Sequence, residues 1–78
     1  MTLKIISPDE VLYQGEATSV TLPGAMGAFT VLNNHASLVS TLVAGIIFYT
    51  DAAGKVTTRE ISGGVADIDS NVVSVCLY

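Results

Sequence analysis

Charge is what this chain has least of. Asp, Glu, Lys and Arg together make up 13% of its 78 residues, about half the share of an average soluble domain. All ten charged side chains fall in Met1–Glu16 or Asp51–Tyr78, so the 34 residues from Ala17 through Thr50 carry none. Three basic residues against seven acidic ones give a net charge of −4. The basic footprint that binds phosphate is therefore missing, and nucleic acid is not expected as a partner. Cysteine is nearly absent too. With Cys76 alone, there is no disulfide framework and no cysteine-based zinc site, and a reducing, cytosolic setting suits the count.

Long apolar runs are also lacking. A spanning helix needs about 20 predominantly apolar residues. Asn33-Asn34-His35 cuts the uncharged segment and leaves 15 residues, Ala36 to Thr50, which include Ser37, Ser40, Thr41 and Gly45. No Lys or Arg sits at either end of that stretch, so no transmembrane segment is expected. One lysine and a two-residue apolar pair before Ser7-Pro8-Asp9-Glu10 do not make a signal peptide.

What the chain does have is apolar surface and turn residues. Half of it is hydrophobic. Surface scaling for one domain of this size, residues 1–78, gives about 4,500 Å² folded against about 11,700 Å² unfolded. Short apolar runs alternate with turn signals, and no stretch holds a 3.6-residue period for three turns. The fold class is therefore all-β, a small antiparallel β-sandwich of about eight to ten short strands. Leu3 and Ile5 belong to the first strand, Val11–Tyr13 to a second that ends near Gly15. Thr18, Val20 and Leu22 share one side of a third, which Pro23-Gly24 terminates. Ala28–Leu32 is a further short strand, and His35–Thr41 reads as either one helical turn or a loop. Gly45–Thr50 and Lys55–Ile61 flank a four-residue hairpin loop, Asp51-Ala52-Ala53-Gly54. Ser62-Gly63-Gly64 reads as another turn. Val65–Ile68 pairs with Val72–Leu77 across Asp69-Ser70-Asn71, and Cys76 reads as a small core residue.

Chemistry finds little to work with. His35 is the one histidine, so it would have to be the base of any triad with Ser37 or Ser40. No nucleophile-elbow pattern accompanies it, and a turn or interface role is the plainer reading. No metal-ligand spacing is present. Asp67 and Asp69 share a strand face that reads as solvated. Neither glycine cluster, Pro23–Gly27 nor Ser62–Gly64, has the lysine and helix of a phosphate loop. No catalytic residue, cofactor or metal is expected. The charge-free middle then reads as part core and part partner-covered surface, because interface centres are depleted of charge.

Three segments carry a resemblance. The run Leu22-Pro23-Gly24-Ala25-Met26-Gly27-Ala28-Phe29-Thr30-Val31-Leu32-Asn33-Asn34-His35-Ala36-Ser37-Leu38 is similar to the motif of the epsilon subunit of F-type ATP synthases. Ser7–Ala17 resembles that family's first hairpin, and Ile61–Ile68 with Asn71–Val75 its Ser-Gly-Gly and following strand. The resemblance implies the family's N-terminal β-sandwich. It also implies a non-catalytic central-stalk role, one copy per complex, coupling the membrane c-ring to the gamma subunit during ion-driven ATP synthesis. Its location would be peripheral, on the cytoplasmic face of the energy-transducing bacterial membrane. By the same resemblance, Ala25, Met26, Ala28, Phe29 and Val31 face the c-ring, while Ser7, His35 and Ser40 face gamma. Phe29 is expected as an exposed anchor. Asn33 and Ser37 stand where prolines are common, Ala28 where an acid is frequent, and Val43-Ala44-Gly45 where Lys-Pro-Gly is usual. A short form without the family's C-terminal helical pair is expected. That pair brakes ATP hydrolysis in many members and binds ATP in some. The alternatives from the residues alone are an unrelated β-sandwich adaptor for another protein and a His35-dependent hydrolase.

Overall fold

The computed structural model describes residues Met1–Tyr78. Six strands and no helix account for the chain: β1 (Thr2–Ile6), β2 (Val11–Gly24), β3 (Gly27–Leu32), β4 (Leu38–Asp51), β5 (Val56–Asp69) and β6 (Val72–Leu77). The all-β class is as read from the sequence, but the count is smaller than eight to ten, because three strands run for 14 residues each. A straight strand of that length would extend about 45 Å. The longest dimension of the molecule is 27 Å. The long strands must therefore bend as they pass from one layer to the other.

The order β1-β6-β5-β4-β2-β3, with β1 also paired to β2, closes the sheet on itself. Each long strand contributes one half to either layer of the sandwich. The front layer holds β3, Ser19–Gly24 of β2, Gly45–Thr50 of β4 and Val56–Ile61 of β5. The back layer holds Leu38–Val43 of β4, Gly63–Asp69 of β5, β6, β1 and Val11–Glu16 of β2. All pairings are antiparallel except β1 with β6, which is parallel, a departure from the uniformly antiparallel sandwich expected.

Crossing between layers shifts the inward set of side chains by one residue. In β2, Ala17 is buried, Thr18 is exposed and Val20 and Leu22 are buried again. A register irregularity between Ala17 and Ser19 absorbs the odd residue. A bulge does this because strand alternation has a period of two, and it removes Thr18 from the side it was expected to share with Val20. In β5 the same change occurs at Gly63-Gly64, both buried, between inward Ile61 and inward Ala66 and Ile68. Ser62-Gly63-Gly64 is thus an in-strand crossing rather than a turn. Gly64 is required there, since a Cβ on it would lie 2.5 Å from the Cys76 carbonyl oxygen.

The folded surface measures 4362 Å². Leu3, Ile5, Val20, Leu22, Ile47, Val73 and Val75 are wholly buried at the centre of a 15-residue apolar core. Cys76, one residue out of phase with Val75, faces solvent, which corrects its reading as core. The hairpin loop after β4 forms as expected, held by Asp51 Oδ1 accepting from the Ala53 and Lys55 amides at 2.9 Å. At the start of the chain the Met1 ammonium donates to the Ala17 carbonyl at 3.1 Å and to Asn33 Oδ1, and stands 3.7 Å from Glu16 Oε2. These contacts tie β1 to the loop after β3.

Candidate interaction site

The β2–β3 turn builds one wall of a surface groove. Gly24 and Gly27 pair across the two-residue turn Ala25-Met26. The ring of Phe29 lies over Gly24, where an added Cβ would come 2.8 Å from the ring. Phe29 is therefore half-buried against the core, not the freely exposed anchor expected. Ala25, Met26, Gly27 and Ala28 are exposed, Met26 completely. The Ala25 amide donates to the Thr41 carbonyl at 2.9 Å and fixes the turn against β4. Leu38, Val39, Ser40 and Thr41 form the opposite wall, and the groove between them has a volume of about 630 Å³.

The structure gathers Ala25, Met26, Ala28, Phe29 and Ser40 along this groove. It withdraws Val31, which is 1% exposed and part of the core. Inward alternation from Phe29 puts it there, so its side chain does not reach the surface where a ring contact was expected. Ser7 and His35 stand apart. Ser7 is half-buried and closes the turn after β1 through its amide and hydroxyl, both donating to the Glu10 carbonyl. His35 is half-buried in the loop between β3 and β4, which Asn34 N ties to Asn71 Oδ1 at 2.8 Å. Because Thr2 pairs with Val72 and Ile6 with Cys76, the two lie at opposite ends of the back layer.

Sequence reading missed the second wall, since His35–Thr41 was open between helix turn and loop; β4 begins at Leu38. It also missed the charge beside it. Val39, 68% exposed, pairs directly with Asp67, and directly opposed side chains stand about 5 Å apart. Asp69, two residues on, accepts from Ser37 Oγ at 2.7 Å. The groove walls themselves carry no ionisable side chain.

The hydroxyls and the imidazole of this region are each bonded elsewhere. Ser37 gives its hydroxyl to Asp69, Ser40 gives its own to the Thr41 carbonyl at 3.1 Å, and His35 Nδ1 sits 2.7 Å from the Ala36 carbonyl. None of the three is hydrogen-bonded to another, and a triad needs the base bonded to its nucleophile.

A family model described as "ATP synthase, Delta/Epsilon chain, beta-sandwich domain" matches residues 1–77. This chain belongs to that family. Among curated relatives, the ATP synthase epsilon chain of Sulfurimonas denitrificans is 43% identical over 75 residues, covering 96% of this chain and 58% of the relative. The epsilon chain of Campylobacter jejuni subsp. doylei is 41% identical over the same coverage, and that of Leptospira borgpetersenii 36%. The chain thus spans little more than half the length of the curated relatives it matches. Among solved structures, a chain of the Euglena gracilis mitochondrial ATP synthase, described as OSCP/F1/c-ring in rotational state 1, superposes with a TM-score of 0.90. It is 28% identical, over 96% of this chain and 48% of that one. A chain from the central stalk/c-ring of the Tetrahymena thermophila enzyme superposes at 0.80 with 12% identity, a likeness of fold alone, over 99% of this chain and 62% of that one.

Proposed function

We propose that this domain is a non-catalytic central-stalk element of an F-type ATP synthase, coupling the membrane c-ring to the gamma subunit during ion-driven ATP synthesis. The family match over residues 1–77 is the observation that carries the reading. The geometry supports it in two ways. An exposed apolar turn, Ala25–Ala28, flanks a groove suited to receiving a loop of the ring. Ser7 and His35, at the two ends of the back layer, with Ser40 on the back-layer half of β4, are the positions offered to gamma.

A coupling element works by stiffness and by contact at both sides, not by chemistry. Closure of the sheet removes most free edges, and 47 backbone hydrogen bonds over 78 residues brace it. Torque applied at the turn is then passed through packed strands instead of being lost in bending, as close-packed interiors transmit strain. The protein would be peripheral on the cytoplasmic face, held to the membrane through the ring. Co-purification with cognate gamma and with the detergent-solubilised c-ring tests this. Binding to both at micromolar concentration is expected, and failure to bind gamma would sink the reading.

A further inference from the structure

We infer that the groove between the β2–β3 turn and β4 receives a partner segment with an apolar side chain flanked by a lysine or arginine, and that Asp67 is the residue that pairs with that cation. This rests on the rotor reading and names the chemistry of its ring-side contact.

The groove walls supply only apolar and small polar groups: Met26 and Phe29 on one side, Leu38 and Val39 on the other. Such walls hold an apolar side chain but fix neither its register nor its identity, because apolar burial is non-directional. A charged pair at the rim supplies that selection. The acid nearest by register is Asp67. It is exposed, points from the same face as its cross-strand neighbour Val39, and has no hydrogen bond or ion pair of its own; the single ion pair of the molecule joins Met1 to Glu16. Asp69 is less available, since Ser37 donates to its Oδ1. No cation of this chain forms an ion pair with Asp67. Lys4 lies two strands away, opposite Ser74, which separates it from Asp67 in the β1–β6–β5 register, about 10 Å across the sheet. Lys55 and Arg59 lie beyond the Gly63-Gly64 crossing, at the front-layer end of the β4–β5 pair. The rim is thus a fixed negative charge beside an apolar slot, complementary to a basic turn with an apolar tip.

The test is binding of the purified cognate c-ring to the full chain and to Asp67→Asn, Asp67→Lys and the control Asp9→Asn in the exposed turn after β1. Thermal melting of each variant confirms folding. At low salt we expect about a threefold loss for Asp67→Asn and about tenfold for Asp67→Lys, the range set by an exposed ion pair and its reversal. Wild-type affinity should fall with added salt, whereas that of Asp67→Asn should change less, and Asp9→Asn should match wild type. Glutamate at one exposed basic position of the ring loops should restore binding of Asp67→Lys. Asp67 variants that bind like wild type, with wild-type salt dependence, overturn this inference and leave the rotor reading standing. A wild-type chain that binds gamma but not the ring overturns the ring-side contact and this inference together.

Discussion

The two outer faces of the sandwich differ in a way their interiors do not. On the front face the outward residues are Ala28, Thr30 and Leu32 of β3, Thr21 and Pro23 of β2, Ile46 and Phe48 of β4, and Val56, Thr58 and Glu60 of β5. Glu60 is the one ionisable group among them. The back face presents Lys4, Glu16, Asp67 and Asp69. Both layers turn the same kinds of side chain inward. The charge-free stretch Ala17–Thr50 therefore is not a consequence of burial alone. Leu32, Ile46 and Phe48 belong to it and are 58%, 44% and 44% exposed. Packing requires the inward half of those residues to be apolar. The outward half goes beyond that requirement, as a surface that is covered in an assembly does.

The sharpest way to break the comparison is to break the crossing that separates the faces. Gly64→Val places a branched side chain where even a Cβ would meet the Cys76 carbonyl at 2.5 Å. That atom is backbone of β6 and has no room to yield. The expected cost is about 3 kcal/mol or more, a large part of the stability of so small a domain. A thermal melt showing a drop of less than about 5 °C would mean that β5 crosses without needing glycine.

The next effect separates inside from outside on one strand. Ile47 is fully buried and Phe48, its neighbour in β4, is half-exposed on the front face. Ile47→Ala should cost about 2–4 kcal/mol through lost transfer energy and the cavity left behind. Phe48→Asp should cost about 1 kcal/mol in the isolated domain, mostly strand preference. Urea denaturation distinguishes them. Equal losses would make Phe48 part of the core, and the apolar front face would then need no further explanation.

These positions also mark how far the sequence could be read. The β5–β6 hairpin and the loop after Asp51 were legible because their turn residues and flanking alternation are local. The six-strand count was not. Ser62-Gly63-Gly64 has turn composition, and only the neighbouring strands decide whether the chain reverses there or passes on to the second layer. The same holds for the bulge at Thr18, which moves the inward set by one residue without any local mark. Of the site, the wall Ala25–Phe29 was legible as a motif. The wall Leu38–Thr41 and its acid were not, since Asp67 meets Val39 only through strand pairing across 28 positions of sequence. Val31 was misplaced by taking a contiguous segment as surface where a strand alternates.

A smaller effect tests an exception on the inward side of the front layer. Arg59 occupies the register position opposite Ile47, between Thr57 and Ile61, and its Nε is buried without a hydrogen-bond partner. An unsatisfied buried donor costs stability, so the aliphatic stem does the packing while the head contributes little. Arg59→Met keeps the stem's apolar contact and removes the donor. Stability should stay level or rise by up to about 1 kcal/mol. A loss beyond about 1 kcal/mol would show that the guanidinium is stabilising in place.

The smallest effect lies where the back layer meets the front at the Tyr13–Tyr49 pair, whose ring centroids are 4.6 Å apart. Partial burial raises the Tyr13 phenol above its ordinary 10.0, reinforced by the charges of Tyr49, Asp51 and Glu16. The phenol also donates to the Glu16 carbonyl at 3.1 Å, a bond that only the protonated form makes. A raised value means the folded chain keeps a proton that the unfolded chain has released. Below about pH 10 both states hold it, and stability does not depend on this group. Above pH 10 the unfolded state loses its proton first, so stability falls as pH rises toward the folded value. Tyr13→Phe removes the group and should flatten that decline above pH 10 in urea titrations, at the cost of one hydrogen bond at neutral pH. An unchanged slope would show that the Tyr13 phenol is not the source of the alkaline loss.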